Sequence, residues 1–311
     1  MAELELSLLN SMLVDHPRQT VEESERGYQE RVEGIAEHVA THPSIRIILL
    51  AGPSGSGKTT SANLIKDAII SRGKECIVVS LDDFYRDSTD PTYPRTASGE
   101  RDFECPDALH LGEISDTLLA IAEGKEFTLP KYDFKVGGRT EIRSHAPMLD
   151  GCVIIEGLHA LNPRIYSCLD KSRVLKLFVS VSTNINADGE RILSGRKLRF
   201  LRRMTRDSIY RGADAERTLA MWEGVLSAED VYLYPYKADA DIAFDTFHTF
   251  EVGVMKKYAE KLITPELAAK SEYAHAVLSA TRRISPLDES LIPESSLIKE
   301  FIPGGIYEQL Y

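Results

Sequence analysis

Several things are scarce in this sequence, and each scarcity excludes a class of protein. No run reaches the ~18 consecutive apolar residues that a membrane-spanning helix requires. Residues 1–14 mix apolar side chains with Glu3 and Glu5 and lack a basic segment and a small-residue cleavage site. No secretory signal is therefore expected, and a cytoplasmic location follows. Only four cysteines occur, Cys76, Cys105, Cys152 and Cys168, with no CxxC pair among them. A disulfide framework is excluded, and reduced, mostly buried thiols are expected. Positive charge is in deficit, with 37 Lys and Arg against 48 Asp and Glu and a net charge of −11. That balance argues against a nucleic-acid partner, because little would drive counterion release. Of the eight histidines only His38 and His42 have ligand-like spacing, and they precede Pro43 at a helix end, so no metal site is read there. There is no internal repeat and no low-complexity tract.

What is present fits a globular protein. The chain has 311 residues, 43% of them hydrophobic and 27% charged, room for one α/β domain of about 220 residues with appended segments or for two small domains. Residues 21–41 carry Tyr28, Val32, Ile35 and Val39 at spacings of four, three and four, one apolar stripe on a charged helix. The runs IRIILLA (45–51), ECIVVSL (75–81), GCVIIE (151–156) and VLKLFVSVS (174–182) suit strands covered on both faces. Helical patterns separate them over residues 58–72, 109–123 and 188–210, and residues 241–244 supply a last short strand. Alternating strands and helices predict a doubly wound, mostly parallel sheet. Beyond Pro265 the pattern weakens, and Pro286, Pro293 and Pro303 predict an extended, wrapping tail. The expected division is a helical extension over 1–44, a central domain over 45–265 and a tail over 266–311.

The strongest local signal is Gly52-Pro53-Ser54-Gly55-Ser56-Gly57-Lys58-Thr59, which fits G-x-x-x-x-G-K-[ST] between a buried strand and a helix. Its glycines let the backbone approach a phosphate, and the amides of the loop and helix N-terminus form an anion cradle. Lys58 adds a point charge on the β/γ-phosphates, and the Thr59 hydroxyl suits Mg²⁺. The expected ATP cradle is Gly52, Ser54, Gly55, Ser56, Gly57, Lys58, Thr59 and Thr60.

Carboxylates end two of the strands, where open α/β sheets bind ligands. Glu156 closes an apolar strand where phosphate-loop enzymes keep a Mg²⁺-linked acid. Asp82 and Asp83 follow another strand, and position alone leaves either as the general base. Arg202, Arg203, Arg206 and Arg211 cluster after Arg191, Arg196, Lys197 and Arg199. In so acidic a chain this suits a helical lid that brings guanidinium groups onto a transferring phosphoryl group.

With these residues in view, the chain resembles the uridine kinase and phosphoribulokinase family of P-loop kinases. The likeness rests on AGPSGSGKTT, SLDDFYRD, FECPD, LPKYDF, VIIEGLHALNP and RRMTRDSIYRG, in that order. It looks especially like a bacterial nucleoside kinase branch in which such a domain follows a threonyl-tRNA-synthetase-like half, with no counterpart of that half here. The resemblance implies a P-loop NTPase fold, ATP and Mg²⁺, and phosphoryl transfer to a small-molecule hydroxyl, most simply the 5′-hydroxyl of a nucleoside. It implies Asp82 as base, with Lys58 and Arg206 assisting transfer. It sets Thr59, Glu156 and Asp82 near the metal, and Arg206 and Arg211 on the ATP phosphates. Tyr85, Glu104, Tyr132, Phe134 and Arg203 fall near the acceptor. Two polar readers of a pyrimidine edge are replaced, a His by Gly137 and a Gln by Met221, which leaves the acceptor open. A sugar, polyol or sugar phosphate is the alternative, kept alive by Arg95, Arg101, Lys131, Lys135 and Arg139. A non-catalytic ATP-binding regulator is the third reading, disfavoured by an intact Lys58, Thr59, Asp82 and Glu156. The sequence leaves homo-oligomerisation open.

Overall fold

A computed structural model describes residues 2–96 and 99–310; Met1 and Tyr311, the outer ends of the two flanking segments, lie outside the described residues. In chain order the elements are β1 (Glu3–Glu5), α1 (Leu6–Asp15), α2 (Pro17–Thr41), β2 (Ile47–Ala51), α3 (Lys58–Ile70), β3 (Glu75–Ser80), α4 (Leu111–Ala122), β4 (Phe127–Asp133), β5 (Gly138–His145) and β6 (Gly151–Glu156). They continue with α5 (Pro163–Tyr166), β7 (Val174–Ser180), β8 (Asn184–Ala187), β9 (Glu190–Leu193), α6 (Gly195–Tyr210), α7 (Ala215–Tyr232), β10 (Ile242–Asp245), α8 (Glu251–Leu262), α9 (Pro265–Lys270) and α10 (Glu272–Arg282).

Five strands form a parallel sheet in the order β10-β7-β2-β6-β3. All five residues of β2 are buried. Because side chains alternate along a strand, Ile48 and Leu50 enter the core under α2, α3 and α6, while Ile47, Leu49 and Ala51 enter the core under α4. The chain leaves β2, skips one position to β3, and returns to fill that gap with β6; β7 and β10 extend the other side. The carboxyl end of β2 is therefore a switch point, the place where open sheets bind ligands.

The stripe predicted on α2 is buried at Tyr28, Val32, Ile35 and Val39. Residues before Ile45 and after Pro265 share one core with the sheet, which runs from Leu9 through Ile302. Among the described residues no helix is long and apolar enough to cross a membrane.

Three expectations need correction. Residues 188–193 are not helical: β8 and β9 form an antiparallel hairpin around Asp188 and Gly189, both at positive φ. An Asp-Gly pair suits such a turn, and the arginines that follow concealed it. Past Pro265 the chain is not merely extended, because α9 and α10 precede the strap of residues 285–310. Thr264 and Ser271 cap those helices through their side chains. Of the cysteines, Cys76 and Cys152 are buried, whereas Cys168 is exposed and Cys105 is intermediate.

Candidate active site

The phosphate loop bridges β2 and α3. Gly57 is the helix N-cap, with φ 85°, and the first helical bond runs from the Ser61 amide to the Gly57 carbonyl at 2.9 Å. The amides of Lys58, Thr59 and Thr60 therefore have no partner within the helix. The loop carbonyls are fixed from outside. Arg199 donates to the Ser54 carbonyl at 2.8 Å, Arg202 to Gly55 at 3.4 Å, and Thr246 Oγ1 to Ser56 at 2.8 Å. The Ser54 amide donates to Glu229 at 2.8 Å. With its carbonyls held, the loop offers amides to an anion. Lys58 Nζ rests on the Pro53 carbonyl at 3.2 Å, and the buried Ser56 hydroxyl has no hydrogen-bond partner among the described residues.

Two of these clamps are buried ion pairs. Arg199 forks onto Glu229 with two bonds of 2.8 Å. Arg202 forks onto Glu251 at 2.6 and 2.8 Å. Both arginines belong to the predicted Arg-rich helix, now α6, which lies against the phosphate loop. They brace that loop, and Arg203, Arg206 and Arg211 remain as the cations gathered beside it.

Gly57→Ala tests the loop geometry. At φ 85° a Cβ would approach Leu297 Cδ1 to 2.7 Å, and the left-handed backbone itself disfavours a side chain by about 1–2 kcal/mol. The expected outcome is a lower melting temperature together with weaker nucleotide binding, both read in one thermal-shift titration.

The acids lie beside the loop. Glu156 ends β6, in register with Leu50 on one neighbour and Ser80 on the other. Burial pushes its carboxyl up to about 7, although Lys58 pulls against it. Asp82 lies in the 3₁₀ turn Leu81–Phe84 after β3, its amide capped by the Ser80 hydroxyl at 3.3 Å. Its side chain is open to solvent yet stands in a crowd of protein atoms. That crowding raises its carboxyl above the ordinary range, and Lys58 and Arg211 oppose the rise. Asp83, the other candidate at sequence level, is engaged by Lys131 at 3.0 Å and by the Tyr132 amide at 3.3 Å.

Asp207 organises the cations. Arg206 donates to it at 2.8 and 2.9 Å, Arg203 lies 3.3 Å away and Arg211 3.7 Å. Arg203 also donates to the Ser54 hydroxyl at 2.9 Å. Burial lowers the pKa of Arg203 and of Arg211, and neighbouring arginines lower both further. Three guanidinium groups share Asp207, and Glu300 lies 3.9 Å from Arg206 as a second carboxylate, so positive charge is left over next to the loop, which favours an anion.

On the other side of Asp82 is an aromatic cluster. The Tyr85 ring lies 5.7 Å from Tyr132, 5.6 Å from Phe134 and 6.2 Å from Phe103, and Phe103 meets Tyr93 at 5.4 Å. A cavity of 280 Å³ opens beside it, lined by Ser88, Arg101, Phe103, Tyr132, Phe134 and Lys135. Tyr132 is 5% exposed and Phe134 61%, so the aromatic pair divides into a core residue and a free face. The Tyr85 hydroxyl donates to the Phe103 carbonyl at 2.8 Å. Burial raises the Glu104 carboxyl, against Arg203, with Asp82 adding to the rise. His159 is buried nearby; burial lowers its pKa to about 4, and a hydrogen bond to the Glu104 backbone opposes that.

Of the five cations that kept an anionic acceptor open, only Arg101 and Lys135 line this cavity. Arg139 is paired with Glu113, Lys131 with Asp83, and Arg95 donates to the Gly99 carbonyl. Gly137, the position where the family resemblance would set a His, has φ 72°, and a Cβ there would collide with Ser88 Oγ. A histidine at 137 requires both a strained backbone and a displaced Ser88. Met221 lies half-exposed on α7.

Sequence reasoning placed Lys58, Asp82, Glu156, Arg203 and Arg206 near one another but missed Asp207, Glu229, Thr246, Glu251 and Glu300. Asp207 had a signal, since it follows Arg206 directly. Glu229 and Glu251 lie 30 and 49 residues from their arginines, and no local pattern joins them.

Residues 47–253 match the model described as the Phosphoribulokinase / Uridine kinase family. Among curated relatives, a uridine kinase of Schizosaccharomyces pombe is 32% identical over 171 residues, 55% of this chain and 33% of that protein. A uridine kinase of Staphylococcus aureus is 28% identical over 197 residues, 63% of this chain and 85% of that one. The chain thus spans about a third of the fungal relative's length and most of the bacterial one's. The solved structure of a possible uridine kinase from Bacillus stearothermophilus superposes with a TM-score of 0.45 at 19% identity, over 70% of this chain and 98% of that one.

Proposed function

We propose, for a chain that belongs to the phosphoribulokinase and uridine kinase family of kinases, that it transfers the γ-phosphate of Mg-ATP to the 5′-hydroxyl of a nucleoside. One observation carries this reading: Asp82 stands in the short turn that joins Ser80, in register with Glu156, to Tyr85 and its aromatic neighbours. On one side it faces Lys58, Arg211 and Arg206. On the other, after burial itself, its charge is the first to raise the Tyr85 hydroxyl, with Glu104 next. A base between a phosphate cradle and an aromatic pocket is where a kinase needs one.

In this reading Asp82 accepts the acceptor's hydroxyl proton, and its raised pKa makes it a stronger base than a free carboxylate. Lys58, Arg206 and Arg211 hold the phosphates and offset charge as the phosphoryl group moves. Gly52, Ser54, Gly55, Ser56, Gly57, Thr59 and Thr60 complete the cradle. Tyr85, Tyr132 and Phe134 flank the base, and Glu104 and Arg203 lie at the sugar. Thr59, Glu156 and Asp82 are hard oxygen donors of the kind Mg²⁺ takes, usually alongside phosphate oxygens and water. A Mg²⁺ held by these residues would supply positive charge against that of the nucleotide's phosphates. We assign the transfer to residues 45–265, flanked by 1–44 and 266–311.

Arg101 and Lys135 on the cavity wall support a second reading, in which the acceptor is a sugar phosphate. ADP release from Mg-ATP against nucleosides, pentoses, polyols and sugar phosphates separates the two. Turnover with a nucleoside is expected. Turnover with sugar phosphates alone would transfer the assignment to the second reading, and silence across the panel with ATP bound would sink both.

A further inference from the structure

The phosphate cradle already holds an anion from the protein's own strap. Glu300 ends the 3₁₀ turn Leu297–Glu300 and is 4% exposed. Its Oε2 accepts from the Thr60 amide at 3.2 Å, and its Oε1 lies 3.9 Å from Arg206. Thr60 is the third residue of α3, and its amide is the last of those that Gly57, as cap, leaves without a helical partner. In a loop of this type Lys58 serves the β/γ end, so the amides further into the helix serve the α-phosphate. Glu300 therefore lies at the α-phosphate end of the cradle.

The strap that carries it is not a loose flap. Leu297, Ile298, Phe301 and Ile302 are all fully buried. Leu297 closes on Gly57, the Arg202 guanidinium lies 5.0 Å over the Phe301 ring, and Tyr307 bonds to Asp67 on α3. Lifting the strap would return four large apolar side chains to water, which a nucleotide's binding energy would have to offset. Rotating the Glu300 side chain alone exposes none of them.

We propose that Glu300 is a built-in competitor for the α-phosphate of the donor. The nucleotide displaces its carboxylate from the Thr60 amide by side-chain rotation, while the strap stays in place. This rests on the reading of residues 52–60 as the ATP site. Two anions then compete for one end of the cradle, and nucleotide affinity is held below what the loop alone would give. The plain alternative is a helix cap that ties strap to α3 and stabilises the site. The two accounts predict opposite signs.

The test is calorimetric titration of ADP and ATP into the full chain and into Glu300→Gln and Glu300→Ala. Glu300→Gln keeps the volume and a hydrogen-bond acceptor but removes the charge. It is expected to tighten both nucleotides about tenfold, equivalent to about 1.4 kcal/mol, and Glu300→Ala at least as much. Unchanged or weaker binding by a folded variant would overturn the proposal in favour of the cap. If thermal melts show both variants unfolded, Glu300→Asp replaces them: it keeps the charge but reaches less far, and must tighten ADP measurably or the proposal fails. Failure of the wild type and every folded variant to bind any nucleotide would remove the ATP-site reading as well. Equal binding by all of them would remove only the role of Glu300.

Discussion

Asp82→Asn should lower kcat by about 10²- to 10⁴-fold, the range for loss of a general base, while ATP still binds. The substitution keeps the size and shape of the side chain. Its amide can still lie beside Lys58 and Arg211 but cannot accept the hydroxyl proton. Because crowding by protein raises the Asp82 carboxyl, a second result follows. The base works only when deprotonated, so kcat should fall as pH drops through its pKa, and that acid limb should lie above the ~3.9 of a free aspartate. Glu156, at about 7, titrates in the same direction. The limb that vanishes in Asp82→Asn identifies the contribution of Asp82. A pH profile of kcat for both proteins, with nucleotide affinity measured in parallel, decides the matter. An Asp82→Asn enzyme with undiminished kcat would refute the assignment.

Glu251→Ala should have the largest effect on stability. Glu251 and Arg202 are both fully buried, and removing one partner leaves an uncompensated charge in the core, a loss of about 3–5 kcal/mol. In a chain of this size that lowers the melting temperature by on the order of 10 °C. Arg202 also donates to the Gly55 carbonyl, so nucleotide affinity should fall with stability. A double variant, Arg202→Met with Glu251→Leu, separates the two effects. Replacing a buried pair by apolar groups is often nearly neutral for stability, so the melting temperature should recover in part, held back by the Thr246 carbonyl and His248 amide that lose their partners. Nucleotide affinity should not, because with Arg202 replaced the Gly55 carbonyl has lost its donor. Recovery of both would show that Arg202 stabilises the fold without positioning the loop.

The same pair shows how far the sequence could be read. The concentration of arginine over residues 191–211 was visible, and it pointed to phosphate. Which arginine does what was not visible, because a helix displays its residues around its whole circumference and only the neighbours assign them. Arg199 and Arg202 face Glu229 and Glu251 in the interior, whereas Arg203, Arg206 and Arg211 share Asp207 beside the loop. Asp82 and Asp83 were equivalent by position until β4 packed against the turn and engaged Asp83 through Lys131 and the Tyr132 amide. The hairpin β8–β9 was legible in Asp188-Gly189 but masked by the helix-favouring residues after it.

By itself the sequence determined the alternation of buried strands and helices, the phosphate loop and its Lys58, and the acids at strand ends. Those properties are written in nearest-neighbour chemistry: short apolar runs, glycines that permit left-handed backbone, and a fixed spacing to Lys and Thr. Tertiary structure alone decided that β6 enters between β2 and β3 and so brings Glu156 beside the loop. It alone closed an aromatic cluster from residues 85–134. It alone laid Glu300 on the Thr60 amide from 240 residues away. Pairings of that kind depend on which buried faces meet once the chain has collapsed, and no local pattern encodes them.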